Sequence, residues 1–318
     1  VTNDARLRNM TYSSVLTVDA DVILRTFSVD QNDYVMSSRH ITGISLGRIP
    51  LMVRSKYCML SRQPAPVPVD ECRYDYGGYF VVNGNEKVII SQDRIAENRT
   101  YIFTNTAKSA SSYSHTAEVR SVSHSRFTAP KTTLLKLTRR SDQYGRCIRV
   151  SMHHIRSEIP LFIVFRALGV ESDHAILRHV VRDESDPNFG MIADALAGCM
   201  ADAERVHSQH DAINYMSQYI TSSNGSSFLQ SILANDVFPH VGTCFKKKAL
   251  YLGYMTCRLI RCLLGIQQMD DRDSYVNKRL DTAGVLLANL FRQHYCKVVK
   301  DLRASLQTLL KGDLDRKS

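Results

Sequence analysis

Residues 77–92, Gly-Gly-Tyr-Phe-Val-Val-Asn-Gly-Asn-Glu-Lys-Val-Ile-Ile-Ser-Gln, leave the backbone little choice. Two β-favouring runs, 79–82 and 87–90, flank Asn83-Gly84. Asn-Gly is the strongest short-range hairpin signal. A two-residue turn whose twist matches its strands needs positive φ at both central positions. Glu86 and Lys87 then place charge at the base of the turn. The stretch fixes a local shape without naming a chemistry.

The chain has 318 residues, 44% of them hydrophobic, enough for a large core or two domains. It opens on Val1 rather than Met, as a fragment would, and shows no secretory leader. The most apolar run, 159–168, is interrupted by Arg166 and is too short to span a bilayer, so no membrane partner is expected. Eight scattered cysteines form no C-x-x-C pair, which suits reduced thiols in an intracellular protein. The net charge of +10 is uneven: residues 236–318 hold 15 Lys and Arg against 8 Asp and Glu. A polyanion would be drawn most strongly there.

Along the chain, residues 15–22 and 46–60 favour strands, and alternate prolines at 64, 66 and 68 suggest an extended connector. Residues 107–125, rich in Ser, suggest a loop or domain junction. Residues 134–137 and 147–150 suggest a second hairpin. Helices follow: one over 161–168 ending at Gly169, one over 173–182 capped by Ser172, and helix-compatible spacing through 191–220. After a small-residue break at 222–227, residues 245–264 and 282–310 predict two long amphipathic helices. The fold class is α+β, with a mixed β-sheet and long helices. The junctions and the charge split suggest a middle segment inserted into an outer one.

Several motifs carry chemistry in other settings. Gly43-Ile44-Ser45-Leu46-Gly47 fits G-x-S-x-G, but a nucleophile elbow needs a helix straight after the Ser, and Pro50 among β-formers predicts a strand. Asp270, Asp271 and Asp273 could bind a divalent cation, yet acidic residues between two long helices fit a role at the second helix N-terminus better. His207, His210 and Asp211 lack a further ligand and fit an exposed helix face. Lys246-Lys247-Lys248 opens the first long helix against its dipole, as a solvated end or a contact for an acidic partner. Asn277-Lys278-Arg279 stands near the start of the last helix, where an anion is favoured.

Separated segments resemble, in order, the second-largest (β-like) subunit of multisubunit RNA polymerases of archaeal, eukaryotic and large-DNA-virus type. They are ARLRNMTYSS (5–14), GRIPLMVRSKYC (47–58), the hairpin at 77–92, Ile159-Pro160 with FRALG (165–169), LGYM (252–255), and DDRD (270–273) leading to KRLD (278–281). The lobe-like stretches 106–125 and 188–235 depart most from the pattern.

The resemblance implies a protrusion domain at 1–104 and 236–318, with an α+β lobe domain inserted at 105–235. It implies one side of a DNA cleft, with Lys87, Gln92 and Arg94 lining the hybrid site and Lys278 and Arg279 contacting phosphates. Such contacts position nucleic acid without reading sequence. It implies no catalytic or metal-binding residue in this chain. Mg²⁺ would serve the whole polymerase, held mainly by the largest subunit, in nucleotidyl transfer. Implied partners are the largest subunit, other polymerase subunits, the DNA template and RNA–DNA hybrid, and general transcription factors. The implied location is the nucleus for a eukaryotic source, or the virion or viral factory for a large DNA virus. The alternative is a free-standing nucleic-acid or protein interaction module without polymerase activity.

Overall fold

The computed structural model describes residues 2–28, 33–62, 71–105, 113–123, 128–139, 145–220 and 225–315. The chain forms two compact units, Val1–Gln92 with Leu280–Ser318, and Asp93–Arg279. Both helices and sheets are present, as an α+β fold requires.

The first unit opens with α1 (Thr2–Leu7), then a long antiparallel ribbon, β1 (Ser13–Ser28) with β2 (Asp33–Pro50), bulged between Leu16 and Thr17 and between Val18 and Ala20. The G-x-S-x-G run lies inside β2, so Ser45 sits on a strand and not at an elbow. The strand expected over 46–60 stops at Pro50. Arg54 takes a positive φ, and a single helical turn, α2 (Met59–Arg62), follows. The proline-rich connector lies outside the described residues.

The hairpin forms as β3 (Phe80–Val82) and β4 (Asn85–Lys87), with Asn83 at φ 50° and Gly84 at φ 77°. The second strand lies nearer the turn than expected, over 85–87 instead of 87–90. It ends at Lys87, and Val88 and Ile90 are exposed. The hairpin is nonetheless the centre of its unit. The Val81 carbonyl accepts from Tyr12 N–H and the Tyr79 carbonyl from Val53 N–H, both at 2.9 Å. Ala5, Val53 and Val81 form the small buried core.

The second unit begins with β5 (Gln92–Ile95) at its edge and β6 (Thr100–Thr104). The latter joins β7 (Tyr113–Ser121), β8 (Lys131–Thr138), β9 (Ile148–Ser151) and β10 (Ile159–Pro160) in a five-stranded antiparallel sheet of order β10-β9-β8-β7-β6. The β8–β9 pair is the expected second hairpin. By contrast, β7 occupies 113–121 of the 107–125 stretch expected to be a loop, while 107–112 and 124–125 lie outside the described residues. Alternate small residues Ala117, Val119 and Ser121 are buried there, which is the period of a half-buried strand.

Five helices follow the sheet: α3 (Leu161–Ala167), α4 (Asp173–Val181), α5 (Phe189–Asp202), α6 (Gln209–Ser217) and α7 (Gly225–Asn235). Ser172 precedes α4 but makes no capping hydrogen bond. The continuous spacing of 191–220 is broken between α5 and α6. Buried Arg166 takes the carbonyls of Ala203 and Val206 with one guanidinium nitrogen and Asp173 Oδ1 with the other, at 2.5 Å. Those carbonyls therefore serve a buried cation instead of continuing a helix, and Ser208 caps the restart by accepting from Asp211 N–H. His207 lies ahead of α6, and His210 and Asp211 are exposed on it.

The sixth helix of this unit, α8 (Phe245–Leu263), buries Ala249, Leu252, Met255, Thr256, Leu259 and Ile260, a helical stripe. It packs against α4 so closely that a Cβ at Gly253 would stand 2.2 Å from the His179 carbonyl oxygen. Lys248 is not on a solvated end. It is fully buried, and its Nζ donates to the carbonyls of Leu233, Ala234 and Val237 at 2.6, 2.8 and 2.6 Å, closing the end of α7.

The core of this unit runs from Ile102 to Cys262. The packing limits at 92/93 and 279/280 thus differ from the divisions read from sequence at 104/105 and 235/236. The physical reason is that β6 and α8 share one core with the helices between them.

The chain leaves the second unit through β11 (Lys278–Asp281), paired with β5, and returns to the first as α9 (Ala283–Asp315). Phe291, Tyr295, Val298, Leu302, Leu306 and Leu309 recur on one face of α9 and are 42–66% exposed. Among the described residues, no helix is long and apolar enough to cross a membrane.

Candidate nucleic-acid interface

Four of the five expected residues lie on the β5–β11 ribbon, Gln92 and Arg94 on β5 and Lys278 and Arg279 on β11. Arg94 sits on β5, and its guanidinium pairs with Glu97 at 3.0 Å. Lys278 and Arg279 open β11. Lys278 Nζ stands 3.8 Å from Asp93 Oδ2, and Arg279 Nη1 donates to the main-chain carbonyls of Lys278 at 2.8 Å and Val276 at 3.4 Å. Arg279 is exposed and Lys278 half-buried. Lys87 ends β4 in the first unit, and Gln92 opens β5 as the last residue of that unit before the crossing. Both are exposed.

Around the ribbon, sequence reading missed a cation–aromatic cluster. Tyr101 and Phe103, two apart on β6, stack at 6.1 Å with planes 8° apart. Arg99 lies over Tyr101 at 5.7 Å, and Arg272 lies over Phe103 at 3.9 Å. Burial pushes the Tyr101 hydroxyl up, while Arg99 and Arg279 pull it down, so Arg279 shares this field. Glu118 balances part of the charge through Arg120 at 3.1 Å and Arg272 at 3.7 Å. The Arg99-x-Tyr101-x-Phe103 alternation could have flagged the strand half of the cluster; Arg272 is too distant in sequence to have been placed.

The acidic segment does not serve the N-terminus of the last helix. Asp270 lies along the free edge of β6. Its N–H donates to the Ile102 carbonyl at 3.1 Å, and its Oδ2 accepts from Ile102 N–H at 2.9 Å and Arg258 Nη2 at 3.0 Å. Arg258 Nη1 also donates to the Thr100 carbonyl at 2.7 Å. Asp271 Oδ1 accepts from Asp273 N–H at 2.9 Å. These engaged oxygens do not fit an open Mg²⁺ site. Among the described residues, no three His, Cys, Asp or Glu groups stand together as a metal site would need.

In the first unit, the base of the hairpin is acidic. Arg6 pairs with Glu86 at 2.9 Å and Glu71 at 3.3 Å, beside Asp75 and Tyr79, around a pocket of about 400 Å³. Burial and the hydrogen bond to Asp75 push the Tyr79 hydroxyl up to about 12, against the pull of Arg6. This cluster ties α1 to the hairpin, and its acids would repel a phosphate.

Residues 1–316 match the RNA polymerase beta subunit family. The chain is 36% identical over 317 residues to DNA-directed RNA polymerase II subunit 2 of Arabidopsis thaliana, covering 95% of this chain and 26% of that protein. It is 34% identical to DNA-directed RNA polymerase II subunit RPB2 of Encephalitozoon cuniculi, covering 98% and 27%. It is 30% identical to DNA-directed RNA polymerase subunit Rpo2 of Saccharolobus solfataricus, covering 96% and 26%. The chain therefore spans about a quarter of the length of these relatives. With a match that runs through the hairpin, the DDRD segment and the KRLD strand alike, the chain belongs to the RNA polymerase beta subunit family.

Proposed function

We propose that this chain forms one side of the DNA cleft of a DNA-directed RNA polymerase and holds nucleic acid there through its phosphates. The carrying observation is the β5–β11 ribbon, which brings Arg94, Lys278 and Arg279 onto paired strands, with the Arg279 guanidinium bonded to main-chain carbonyls. Such a ribbon neutralises phosphate without reading bases. Lys87 and Gln92 are further candidate phosphate contacts in this reading.

The chain acts as part of a nucleotidyltransferase complex whose chemistry lies elsewhere. Mg²⁺, held mainly by the largest subunit, supplies the phosphoryl-transfer charge stabilisation in the whole enzyme. Partners are the largest and other polymerase subunits, the template with its RNA–DNA hybrid, and general transcription factors. The protrusion (1–104 and 236–318) and lobe (105–235) are functional divisions in this reading, distinct from the packing units. A eukaryotic source would place the work in the nucleus, and a large DNA virus in the virion or viral factory.

The test replaces Lys278 and Arg279 together by Ala in the assembled polymerase and follows binding of an RNA–DNA hybrid scaffold against salt. Loss of two phosphate contacts should flatten the slope of log K against log salt by about 2. An unchanged slope sinks the assignment.

A further inference from the structure

We infer that Asp270 and Asn277 are positioning residues, forming a buckle that holds Lys278 and Arg279 in place for phosphate. The inference rests on the phosphate reading above and explains why an acidic run stands beside a basic site.

A free sheet edge leaves backbone groups open to pairing. At β6 the edge-facing N–H and carbonyl of Ile102 are both taken by Asp270, one through its side chain and one through its N–H. Arg258 fixes the same carboxylate oxygen and also reaches the Thr100 carbonyl, so the strand, α8 and the acidic segment meet at one atom. Both side chains are about seven-eighths buried, at 13% and 12% exposure.

The segment then closes on itself. Asn277, 5% exposed, donates from Nδ2 to the Asp271 carbonyl at 2.7 Å, and its N–H donates to the Ser274 carbonyl at 3.0 Å. Its carbonyl accepts from Ala96 N–H at 2.8 Å, just past the end of β5. The next two residues are Lys278 and Arg279. Two long, flexible side chains are thus carried by a main chain tied to β6 at one end and to the β5 side at the other.

The buckle and simple electrostatics predict opposite outcomes. Asp270→Asn removes a negative charge near a basic site, so Coulomb attraction alone would tighten polyanion binding. A positioning role predicts weaker binding. Asn277→Ala alters no charge, so electrostatics alone predicts no change, whereas the buckle predicts weakening.

The experiment measures binding of a labelled RNA–DNA hybrid scaffold to assembled polymerase across salt, with circular dichroism reporting the fold of each variant chain. Both variants should bind three- to tenfold more weakly with a shallower salt slope, shifted toward the Lys278→Ala/Arg279→Ala double variant. If Asp270→Asn does not fold, Asn277→Ala decides alone. Wild-type or tighter binding by a folded variant, while the double variant weakens, overturns the buckle and leaves the phosphate reading standing. A wild-type slope in the double variant overturns both.

Discussion

Gly84 and Asn9 are in such close contact that a Cβ on Gly84 would stand 2.6 Å from Asn9 Oδ1 and 2.9 Å from its Cα. The turn is held there by its own backbone, since Gly84 N–H donates to the Met10 carbonyl at 3.1 Å. The glycine thus answers two demands, positive φ within the turn and room for the end of α1. Gly84→Ala should destabilise the chain by about 2 kcal/mol or more, combining left-handed strain with the clash. Urea unfolding of the chain checks this; an unchanged midpoint would show that the turn can lift away from Asn9 at no cost.

The three consecutive lysines should separate sharply under mutation. Lys248→Met leaves two buried carbonyls and one half-buried one without their donor and should cost about 2–4 kcal/mol. Lys246→Met and Lys247→Met, on exposed positions, should stay within about 0.5 kcal/mol. Burial holds the Lys248 ammonium down to about 8, so its pairing is structural and not a free charge for a partner. Thermal unfolding of the three single variants provides the comparison.

Glu158 should shape the acid limb of stability. Burial raises its carboxyl, but hydrogen bonds from Lys136 at 2.6 Å and from Tyr113 outweigh it, and the net shift is downward from 4.5. A carboxyl lowered in the fold contributes stability above its unfolded value, and that contribution is lost as pH falls through the folded value. Glu158→Gln should therefore lower Tm at pH 7 and flatten the fall of Tm below about pH 4.5. A variant whose Tm tracks wild type from pH 7 to 3 would refute the coupling.

Thiol reactivity should also divide by position. Backbone N–H groups of Lys247 and Lys246 at the start of α8 favour the exposed Cys244 thiolate and outweigh a small burial effect. Burial pushes Cys199 up to about 12. Iodoacetamide at pH 7.5 should label Cys244 within minutes and spare Cys199 until the chain unfolds, as peptide mass spectrometry can follow. Early labelling of Cys199 would show that its core opens locally.

Local signals were legible in sequence where chemistry and periodicity agreed. Asn83-Gly84, the β8–β9 hairpin and the spans of α8 and α9 all rest on turn residues or long apolar stripes. The misreadings share another cause, a distant partner deciding the local state. Arg166 ends α5 by claiming carbonyls about forty residues away. Lys248 is drawn inside by the open end of α7. Serine-rich β7 is a strand because β6 and β8 flank it, not because of its own propensity. The candidate site divides the same way: Lys278 and Arg279 stood out by charge, whereas Arg272 over Phe103 exists only once the strand and the acidic segment meet.

The second unit begins and ends on adjacent strands, and this orders events during synthesis. Its last residue leaves the ribosome before the 280–318 part of the first unit has emerged. The middle of the chain can therefore complete its core while the outer unit still waits for its final helix. A ribosome stalled after residue 279 has emerged should already present a protease-resistant 93–279 unit while the outer unit is unfinished, so this chain would fold from the inserted piece outward.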